Sequence, residues 1–315
     1  MLDIICQMIS IMKKNVLLSG GTGFVGKKLT DLLIQKGFSV SILSRSDKKN
    51  TTDISYYNWD VSQEIIEEAA VLDADYIIHL AGENIADKRW TSERKAAIID
   101  SRVQSIQLIQ SVLKNNNKKV EAFISASGIG IYGALNGEAI CSENTPAAND
   151  FLGTVCQKWE SAADTITALN IRTVKVRTGL VLGRNDGFLN KLLPIFKFRL
   201  GSALGSGKQY MPWIHIDDLC TIYLEAILNS EMDGAYNAAV QDDTTNLIFS
   251  KKLAKIFGYS IWLPNVPAFV LKLVMGEMAA IVLTGRRISS EKIEKTGFKF
   301  KYKNLETALR DCLTN

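Results

Sequence analysis

Seven residues near the start of the chain form a glycine-rich turn that could hold a phosphate group. They are Gly20, Gly21, Thr22, Gly23, Phe24, Val25 and Gly26, with glycine at the first, fourth and seventh positions. A dinucleotide pyrophosphate binds the backbone N–H groups at a helix N-terminus, and side chains at these positions would block its approach. A strand pattern precedes the turn and a helix pattern follows it. The sequence therefore predicts a dinucleotide site rather than a plain glycine turn.

The residues after the second predicted strand select between the two nicotinamide cofactors. An acidic side chain there would accept a hydrogen bond from the ribose 2′-hydroxyl and repel a 2′-phosphate. This chain has Ser44, Arg45 and Ser46 instead. A guanidinium binds phosphate and stacks on adenine, so this pattern favours NADP(H). The alternative is an exposed arginine that merely follows a strand.

A parallel sheet must position these motifs, and the N-terminal half of the chain has the pattern of one. Short β-branched runs alternate with helical patterns, which is typical of βαβ units. The predicted strands cover residues 15–19, 39–44, 54–57, 76–80, 122–126 and 172–177. One predicted helix follows the glycine turn and ends at Gly37, and three others cover residues 62–70, 92–116 and 150–169. The helix over residues 92–116 has an apolar stripe through Ile99, Val103, Ile106, Ile109 and Leu113. We predict an α/β fold with a Rossmann doubly wound parallel sheet.

The rhythm of the sequence changes after Gly183 to a loop-rich stretch and then to helices. We predict an NADP-binding Rossmann domain over residues 12–182, with returning segments near 212–240. A smaller C-terminal substrate-side domain is predicted over residues 183–211 and 241–315. Residues 1–11 are predicted to be an upstream extension, because Met12, Lys13 and Lys14 directly before a strand resemble a natural start.

Composition argues against several classes of partner. The chain has 37 basic and 33 acidic residues, and the basic ones are scattered, so no nucleic-acid surface is indicated. The five cysteines are Cys6, Cys141, Cys156, Cys220 and Cys312. Their wide spacing, without a C-x-x-C pair, argues against a disulfide framework and against a zinc site. No metal is predicted, and a cytoplasmic location is expected.

Two segments near the C-terminus have competing interpretations. Residues 266–283 are about as long as a membrane span, but a lysine, a glycine and a glutamate interrupt the centre. We predict two buried or amphipathic helical segments there and no stable membrane insertion. Residues 299–303 alternate lysine with Phe300 and Tyr302. This pattern predicts a solvated edge strand rather than a phosphate-binding patch.

Further motifs together resemble one known family. They are Leu80-Ala81-Gly82-Glu83-Asn84-Ile85, Arg89-Trp90, Ser125-Ala126-Ser127 with Tyr132-Gly133, Arg177-Thr178-Gly179-Leu180-Val181-Leu182-Gly183, Trp213-Ile214-His215-Ile216-Asp217-Asp218, and Tyr236-Asn237-Ala238. With these motifs the chain, from Met12 onward, resembles an extended or atypical short-chain dehydrogenase/reductase. Within that family it is similar to the nucleoside-diphosphate-sugar epimerase subgroup.

The resemblance implies roles for individual residues. The glycine turn would bind the pyrophosphate and Arg45 the 2′-phosphate. The other implied cofactor contacts are Asp60 with the adenine, and Leu80, Ala81 and Gly82 along the path to the nicotinamide. Ser127 falls where the family keeps its catalytic serine, with Ser125 as a competing register. His215 and Asp217 match a motif that braces the substrate side, a role of capping and packing more than of chemistry.

The chain departs from the family at its chemical centre. Active members use a tyrosine followed four residues later by a lysine, which together exchange a proton with the substrate. None of the nine tyrosines here has a lysine at that offset, and Leu152 and Cys156 stand in the two places. Tyr132 and Glu83 are the candidate substitutes for moving a proton, together with Ser127.

Three hypotheses follow from these motifs. The first is an NADP-dependent oxidoreductase or epimerase that acts on a small polar, nucleotide-sugar-like substrate. The second is a non-catalytic NADP(H)-binding protein that senses the cofactor or docks a partner. The third is a peripheral membrane protein that binds through residues 266–283. The sequence leaves open the identity of the substrate, the reaction direction and the oligomeric state.

Overall fold

The computed structural model describes residues 13–184 and 186–313. Its strands are β1 (Asn15–Ser19), β2 (Ser39–Ser44), β3 (Ile54–Asp60), β4 (Ile65–Ile66), β5 (Tyr76–His79), β6 (Ala122–Gly128), β7 (Asn136–Cys141), β8 (Thr173–Thr178), β9 (Leu180–Leu182), β10 (Trp213–His215), β11 (Gly234–Ala238) and β12 (Gly285–Ile288). Its helices are α1 (Phe24–Gln35), α2 (Ala69–Leu72), α3 (Ser92–Asn115), α4 (Phe151–Thr167), α5 (Gly187–Lys197), α6 (Ile216–Leu228), α7 (Asn246–Ile256), α8 (Ala268–Met275), α9 (Ala280–Leu283), α10 (Glu291–Lys295) and α11 (Leu305–Leu313).

Eight of the strands form one sheet in the order β11-β8-β6-β5-β1-β2-β3-β4. Neighbouring strands are parallel except β3 and β4, which are antiparallel. The chain moves outward from β1 in both directions, so the switch point lies between β1 and β5, where ligands bind in doubly wound sheets. The predicted Rossmann fold is confirmed. Two small parallel pairs, β9 with β10 and β7 with β12, were not predicted from the sequence.

The central strand shows why the sheet forms. Val16, Leu17 and Leu18 of β1 are fully buried, because helices cover both faces of the sheet. Successive strand side chains point to opposite faces. Val16 and Leu18 pack with Leu29 of α1, whereas Leu17 packs with Ile106 of α3 on the other face. The two layers of helices therefore hold the carboxyl end of the sheet in place for a ligand.

The long helix α3 is rotated relative to the predicted apolar stripe. Ile99 and Val103 are only half-buried, and the buried face of the first half passes through Ile98 and Arg102. Ile98 packs in one cluster with Val155 of α4, so the neighbouring helix decides which face is covered. The prediction is therefore wrong for Ile99 and Val103, whereas Ile106, Ile109 and Leu113 of the predicted stripe are buried.

The prediction of a helix over residues 62–70 was also wrong. The Oδ1 atom of Asp60 accepts hydrogen bonds from the backbone N–H of Ser62 at 2.9 Å and from its Oγ at 2.6 Å, and one 3-10 turn follows. Glu64 adopts the left-handed conformation, with φ 55°, and stops that turn. The next residues form β4 beside β3, so only α2 is helical in this region.

Residues 266–283 fold as two short helices, α8 and α9, with a 3-10 turn between them. The prediction of two helical segments holds, but of its two alternatives, buried or amphipathic, the first is wrong, because neither α8 nor α9 has a buried residue. Phe269, Leu273 and Val274 are exposed by 70%, 74% and 65%. Within the described ranges, no helix is long and apolar enough to cross a bilayer.

Residues 299–303 have no regular secondary structure and do not pair as an edge strand. Phe300 and Tyr302 are buried between exposed lysines. The backbone N–H groups of Lys301 and Tyr302 donate to the two carboxylate oxygens of Asp218 on α6, at 2.8 and 3.0 Å. A side chain therefore takes the place of the neighbouring strand that the prediction required.

The expected upstream extension, residues 1–11, lies outside the described residues, as do Cys6 and Met12. The four cysteines within the described ranges are free and buried. The proposed division at residues 182 and 183, with the returning segments, stays a prediction.

Candidate cofactor site and active-site cavity

The glycine turn between β1 and α1 has two positions that only glycine can occupy. Gly20 has φ +74°, and a Cβ there would lie 2.9 Å from backbone atoms of Leu80 and Ala81. A Cβ on Gly26 would lie 2.3 Å from the carbonyl oxygen of Gly20. The absence of these side chains lets α1 pack directly on the turn and lets the turn pack on the residues after β5.

The third glycine of the motif, Gly23, is exposed and less crowded than Gly20 and Gly26. Gly23 is the N-cap of α1, its φ is −79°, and a Cβ there would meet only the carbonyl oxygen of Gly20, at 3.3 Å. No side chain caps the helix, and its first turn contains no acidic residue. Thr22 and Gly23 are exposed, and Phe24 and Val25 are half-buried. The N–H groups of this helix end thus meet the requirement for binding a pyrophosphate.

The loop after β2 holds Arg45 at the surface. The Ser44 hydroxyl is fixed by Ser46, because it donates to the carbonyl oxygen of Ser46 at 2.9 Å and accepts from its N–H at 3.2 Å. Arg45 is exposed. The hydrogen bond from Ser62 lowers the pKa of Asp60, and the positive charge of Arg45 lowers it further. The carboxylate of Asp60 is therefore engaged in capping, and the implied contacts of Arg45 and Asp60 stay predictions.

The residues after β5 lie beside the glycine turn. The Leu80 N–H donates to the carbonyl oxygen of Ser19, and the Ala81 N–H donates to its hydroxyl. A Cβ on Gly82 would lie 3.0 Å from Cζ of Arg102. Gly82 therefore makes room for a buried guanidinium, a reason that the family resemblance alone does not provide.

Ser127, at the end of β6, belongs to a buried hydrogen-bond network. Its hydroxyl donates to Oε1 of Glu160 on α4 at 2.7 Å. Arg177 on β8 donates to both carboxylate oxygens of Glu160, each at 2.8 Å. Ser125, the competing register, is fully buried and donates to the carbonyl oxygen of Ala126. Only Ser127 of the two serines reaches the cavity described below.

Tyr132 joins the same network from its other end. Its hydroxyl donates to Oδ1 of Asn237 at 2.7 Å and accepts from Nη1 of Arg177 at 3.0 Å. Burial raises the pKa of this phenol to about 12, against the opposing effect of Arg177. The phenol therefore keeps its proton at neutral pH. Ser127 and Tyr132 are brought together through Glu160 and Arg177.

Glu83 lies apart from these groups. Its carboxylate accepts from Nη1 of Arg94 at 2.8 Å, and this hydrogen bond lowers its pKa. The side chain is 41% exposed and does not line the cavity. Its proposed role in moving a proton stays a prediction, but the geometry favours a carboxylate that is ionised and paired.

Leu152 and Cys156 line one wall of a cavity of about 380 Å³ at the carboxyl end of the sheet. Burial raises the pKa of the Cys156 thiol to about 12, so this group is neutral at neutral pH. Ser127 and Tyr132 contribute to the same side. The opposite wall comes from residues 204–212 and 281–288. The size matches small-ligand sites.

Comparison with known proteins identifies the family. The sequence profile of the NAD dependent epimerase/dehydratase family matches residues 16–239, more than half of the chain. The chain belongs to this family. A second profile, the domain of unknown function DUF1731, matches residues 266–312 of this epimerase/dehydratase-family protein. The resemblance drawn from the motifs is confirmed.

Relatives of the family extend over nearly the whole chain. Epimerase family protein YfhF of Bacillus subtilis (strain 168) is 32% identical over 302 residues, which cover 96% of this chain and 98% of that protein. The crystal structure of human epimerase family protein SDR39U1 (isoform 2) with NADPH has a TM-score of 0.83 and 30% identity, covering 95% and 98%. The nucleoside-diphosphate sugar epimerase from Corynebacterium glutamicum has a TM-score of 0.77 and 28% identity, covering 96% of this chain and 58% of that one.

Sequence reasoning missed three charged residues that lie in the cavity wall of this epimerase/dehydratase-family protein or contact residues of that wall. Glu160 and Arg177 form the buried ion pair, and Arg102 lies under Gly82. The signal for Arg102 was its place on α3, one turn after the buried Ile98. No local pattern indicates the pair, because its partners are 17 residues apart and meet only when α4 packs on β8.

Proposed function

We propose that the protein binds NADP(H) and catalyses a hydride transfer, as an oxidoreductase or an epimerase, on a small molecule in the cavity. The observation that carries this proposal is the open, uncapped N-terminus of α1 beside the glycine turn. The turn would hold the pyrophosphate, and Arg45 the 2′-phosphate. Leu80, Ala81 and Gly82 would lie along the nicotinamide half. The human relative, whose structure was determined with NADPH, supports the cofactor assignment.

The bound cofactor supplies or accepts a hydride, so this chain's own residues must manage the proton. Reduction of a carbonyl leaves an alkoxide that needs an acid nearby. Tyr132 lines the cavity and stays protonated at neutral pH. Its proton now goes to Asn237, so donation to a substrate requires the hydroxyl to rotate. The Ser127 hydroxyl now donates to Glu160, so it too would have to rotate to donate a hydrogen bond to the substrate oxygen.

A non-catalytic role is the second candidate, and one observation favours it. The candidate proton donors are engaged or poorly matched to neutral pH: burial raises the pKa of Tyr132, Ser127 donates to Glu160, and Glu83 is paired with Arg94. A protein that only binds the cofactor needs no tuned acid. Against this stands the cavity, which a sensor of the cofactor alone has no need to form.

A two-stage experiment tests the proposal. Fluorescence titration with NADPH measures cofactor binding, and failure to bind overturns both candidate functions. NADPH deuterated at C4 is then incubated with the protein and a small-molecule extract, and mass spectrometry detects labelled products. We expect deuterium transfer with the wild type and none with Gly23→Val. Binding without transfer, and without solvent-deuterium exchange into any extract component, would establish the non-catalytic candidate.

A further inference from the structure

Arg102 is a buried cation without an anionic partner. Its side chain is 8% exposed, on the face of α3 that packs against α4. Among the described residues its guanidinium makes one hydrogen bond, from Nη1 to the carbonyl oxygen of Ile98 at 2.8 Å. Its Nε atom has no partner. The guanidinium lies 4.7 Å from the centroid of the Trp159 ring, a cation–π contact.

The charged and titratable groups around Arg102 do not neutralise it. The carboxylate of Glu83 is held by Arg94. The thiol of Cys156 and the imidazole of His79 are both neutral, because burial raises the pKa of the first to about 12 and lowers that of the second to about 3. Burial also lowers the pKa of Arg102 to about 10, so it remains a cation at neutral pH. A buried charge without a counter-ion is strongly unfavourable, and a ligand can supply the missing anion.

The cavity beside Arg102 has the matching character. Arg102 and Arg286 both line it, and none of the described residues in its wall is an aspartate or a glutamate. Much of the remaining wall is apolar, including Leu152, Phe188 and Met211. A complementary ligand therefore has an apolar body and a negative group. A carboxylate fits best, because its two oxygens match the fork of a guanidinium.

We propose that Arg102 binds the carboxylate of a small organic acid whose apolar body fills the cavity. Calling this acid the substrate rests on the proposed function, whereas the anion site itself does not. Gly82 is part of the site, because a Cβ there would displace the guanidinium. The substrate class is then an apolar carboxylic acid with a carbonyl or hydroxyl group rather than a nucleotide sugar.

The same placement explains why Cys156 replaces the lysine of active relatives. Cys156 and Arg102 both line the cavity. A lysine at position 156 would bring a second positive charge to Arg102, in a site that already lacks an anion. Like charges at short distance in a buried site disfavour both ionised forms.

Binding of a graded set of carboxylates tests the proposal. Acetate, butyrate and phenylacetate are titrated at constant ionic strength, with neutral phenylacetamide as the matched control. We expect affinity to rise from acetate to phenylacetate, and phenylacetate to bind at least about tenfold more tightly than phenylacetamide. Arg102→Met should abolish that preference, and Arg102→Lys should keep part of it. Arg287→Met is the control variant, because Arg287 is outside the cavity and already pairs with Asp243 at 2.6 Å.

Several results would overturn the proposal. They are failure of every carboxylate to bind the wild type, equal binding of phenylacetate and phenylacetamide, or unchanged binding in Arg102→Met with an intact melting transition. Loss of the preference in Arg286→Met alone would assign the anion to Arg286. Loss of NADPH affinity in Arg102→Met would assign Arg102 to the cofactor. Failure of the wild type to bind NADPH contradicts the proposed function and leaves the carboxylate titration to decide the anion site.

Discussion

At the scale of single residues, we expect Arg45 to determine the choice of cofactor. It is exposed beside the end of β2, where its guanidinium is free to meet a 2′-phosphate. We expect NADPH to bind at least about tenfold more tightly than NADH, a difference of about 1.4 kcal/mol. Arg45→Ala should remove most of this difference, measured by fluorescence titration. Lys49→Ala, which removes a nearby exposed cation, should not. Equal affinities in the unmutated protein would refute the assignment.

Tyr132 is the residue on which the proposed proton transfer depends. Once a substrate is identified, Tyr132→Phe should lower kcat by at least about 10², the range of general acid catalysis. Because burial raises the pKa of the phenol to about 12, kcat should not fall with rising pH through the neutral range. Asn237→Ala removes the group that accepts the hydrogen bond from the Tyr132 hydroxyl but keeps the phenol. The fall in kcat in this variant therefore measures how much of the Tyr132→Phe effect comes from losing that hydrogen bond. A change below about threefold in Tyr132→Phe would exclude the phenol as the acid.

At the scale of elements, the turn between β1 and α1 separates two kinds of glycine. Gly23→Val adds a Cβ that lies 3.3 Å from one backbone oxygen, a contact that a small shift relieves, and it fills the space in front of the helix N-terminus. We expect NADPH binding to disappear while the melting transition survives. Gly26→Ala is the contrasting variant, because its Cβ would lie 2.3 Å from a carbonyl oxygen and should destabilise the fold. Normal NADPH binding by Gly23→Val would mean that the turn binds no pyrophosphate.

Two ion pairs join α4 to β8, and they differ in burial. Glu160 with Arg177 is 9% exposed on both sides, whereas Asp164 of the pair with Lys175 is 55% exposed. Glu160→Gln leaves a buried guanidinium without its counter-ion, which costs roughly 3–5 kcal/mol. Asp164→Asn should cost less than about 1 kcal/mol. Urea unfolding measures the free energy of unfolding of both variants. Similar losses would show that the buried pair contributes no more to stability than the exposed one.

At the scale of the whole molecule, the two histidines make stability depend on pH. Burial lowers the pKa of His79 to about 3 and also lowers that of His215. The folded state therefore excludes protons that the unfolded state binds below its pKa of about 6.5. Stability is full above that pH and falls on acidification, by about 1.4 kcal/mol per pH unit for His79, whereas His215 acts in the same direction.

His79→Gln should reduce this slope between about pH 6.5 and 5, where carboxylates still titrate little. His215→Gln is the matched comparison, because His215 caps α6 in another part of the fold. This variant should remove a separate part of the pH dependence of stability. Urea unfolding at several pH values gives the slopes. An unchanged slope in His79→Gln would show that this histidine is not held neutral in the folded protein.

The sequence by itself determined the βαβ framework, the glycine turn and the absence of the tyrosine–lysine pair. These are properties of neighbouring residues, because strand alternation, helix periodicity and a tight turn depend on spacing of a few positions. For that reason the bounds of two strands, β1 (Asn15–Ser19) and β2 (Ser39–Ser44), were predicted to the residue. The rotation of α3 could not be predicted, because it depends on which face α4 covers.

Only the tertiary structure decided the character of the cavity. Two contacts at its wall join distant parts of the chain: the ion pair of Glu160 with Arg177 and the hydrogen bond of Tyr132 to Asn237. The charge of Arg102 is isolated because folding buries it without an anionic partner. Whether a charged side chain is neutralised depends on how far burial excludes water and on whether packing brings a counter-ion to it. Neither can be deduced from the spacing of neighbouring residues. A buried arginine and a surface arginine look alike in a sequence, and only the packing of α3 on α4 beneath Gly82 distinguishes them.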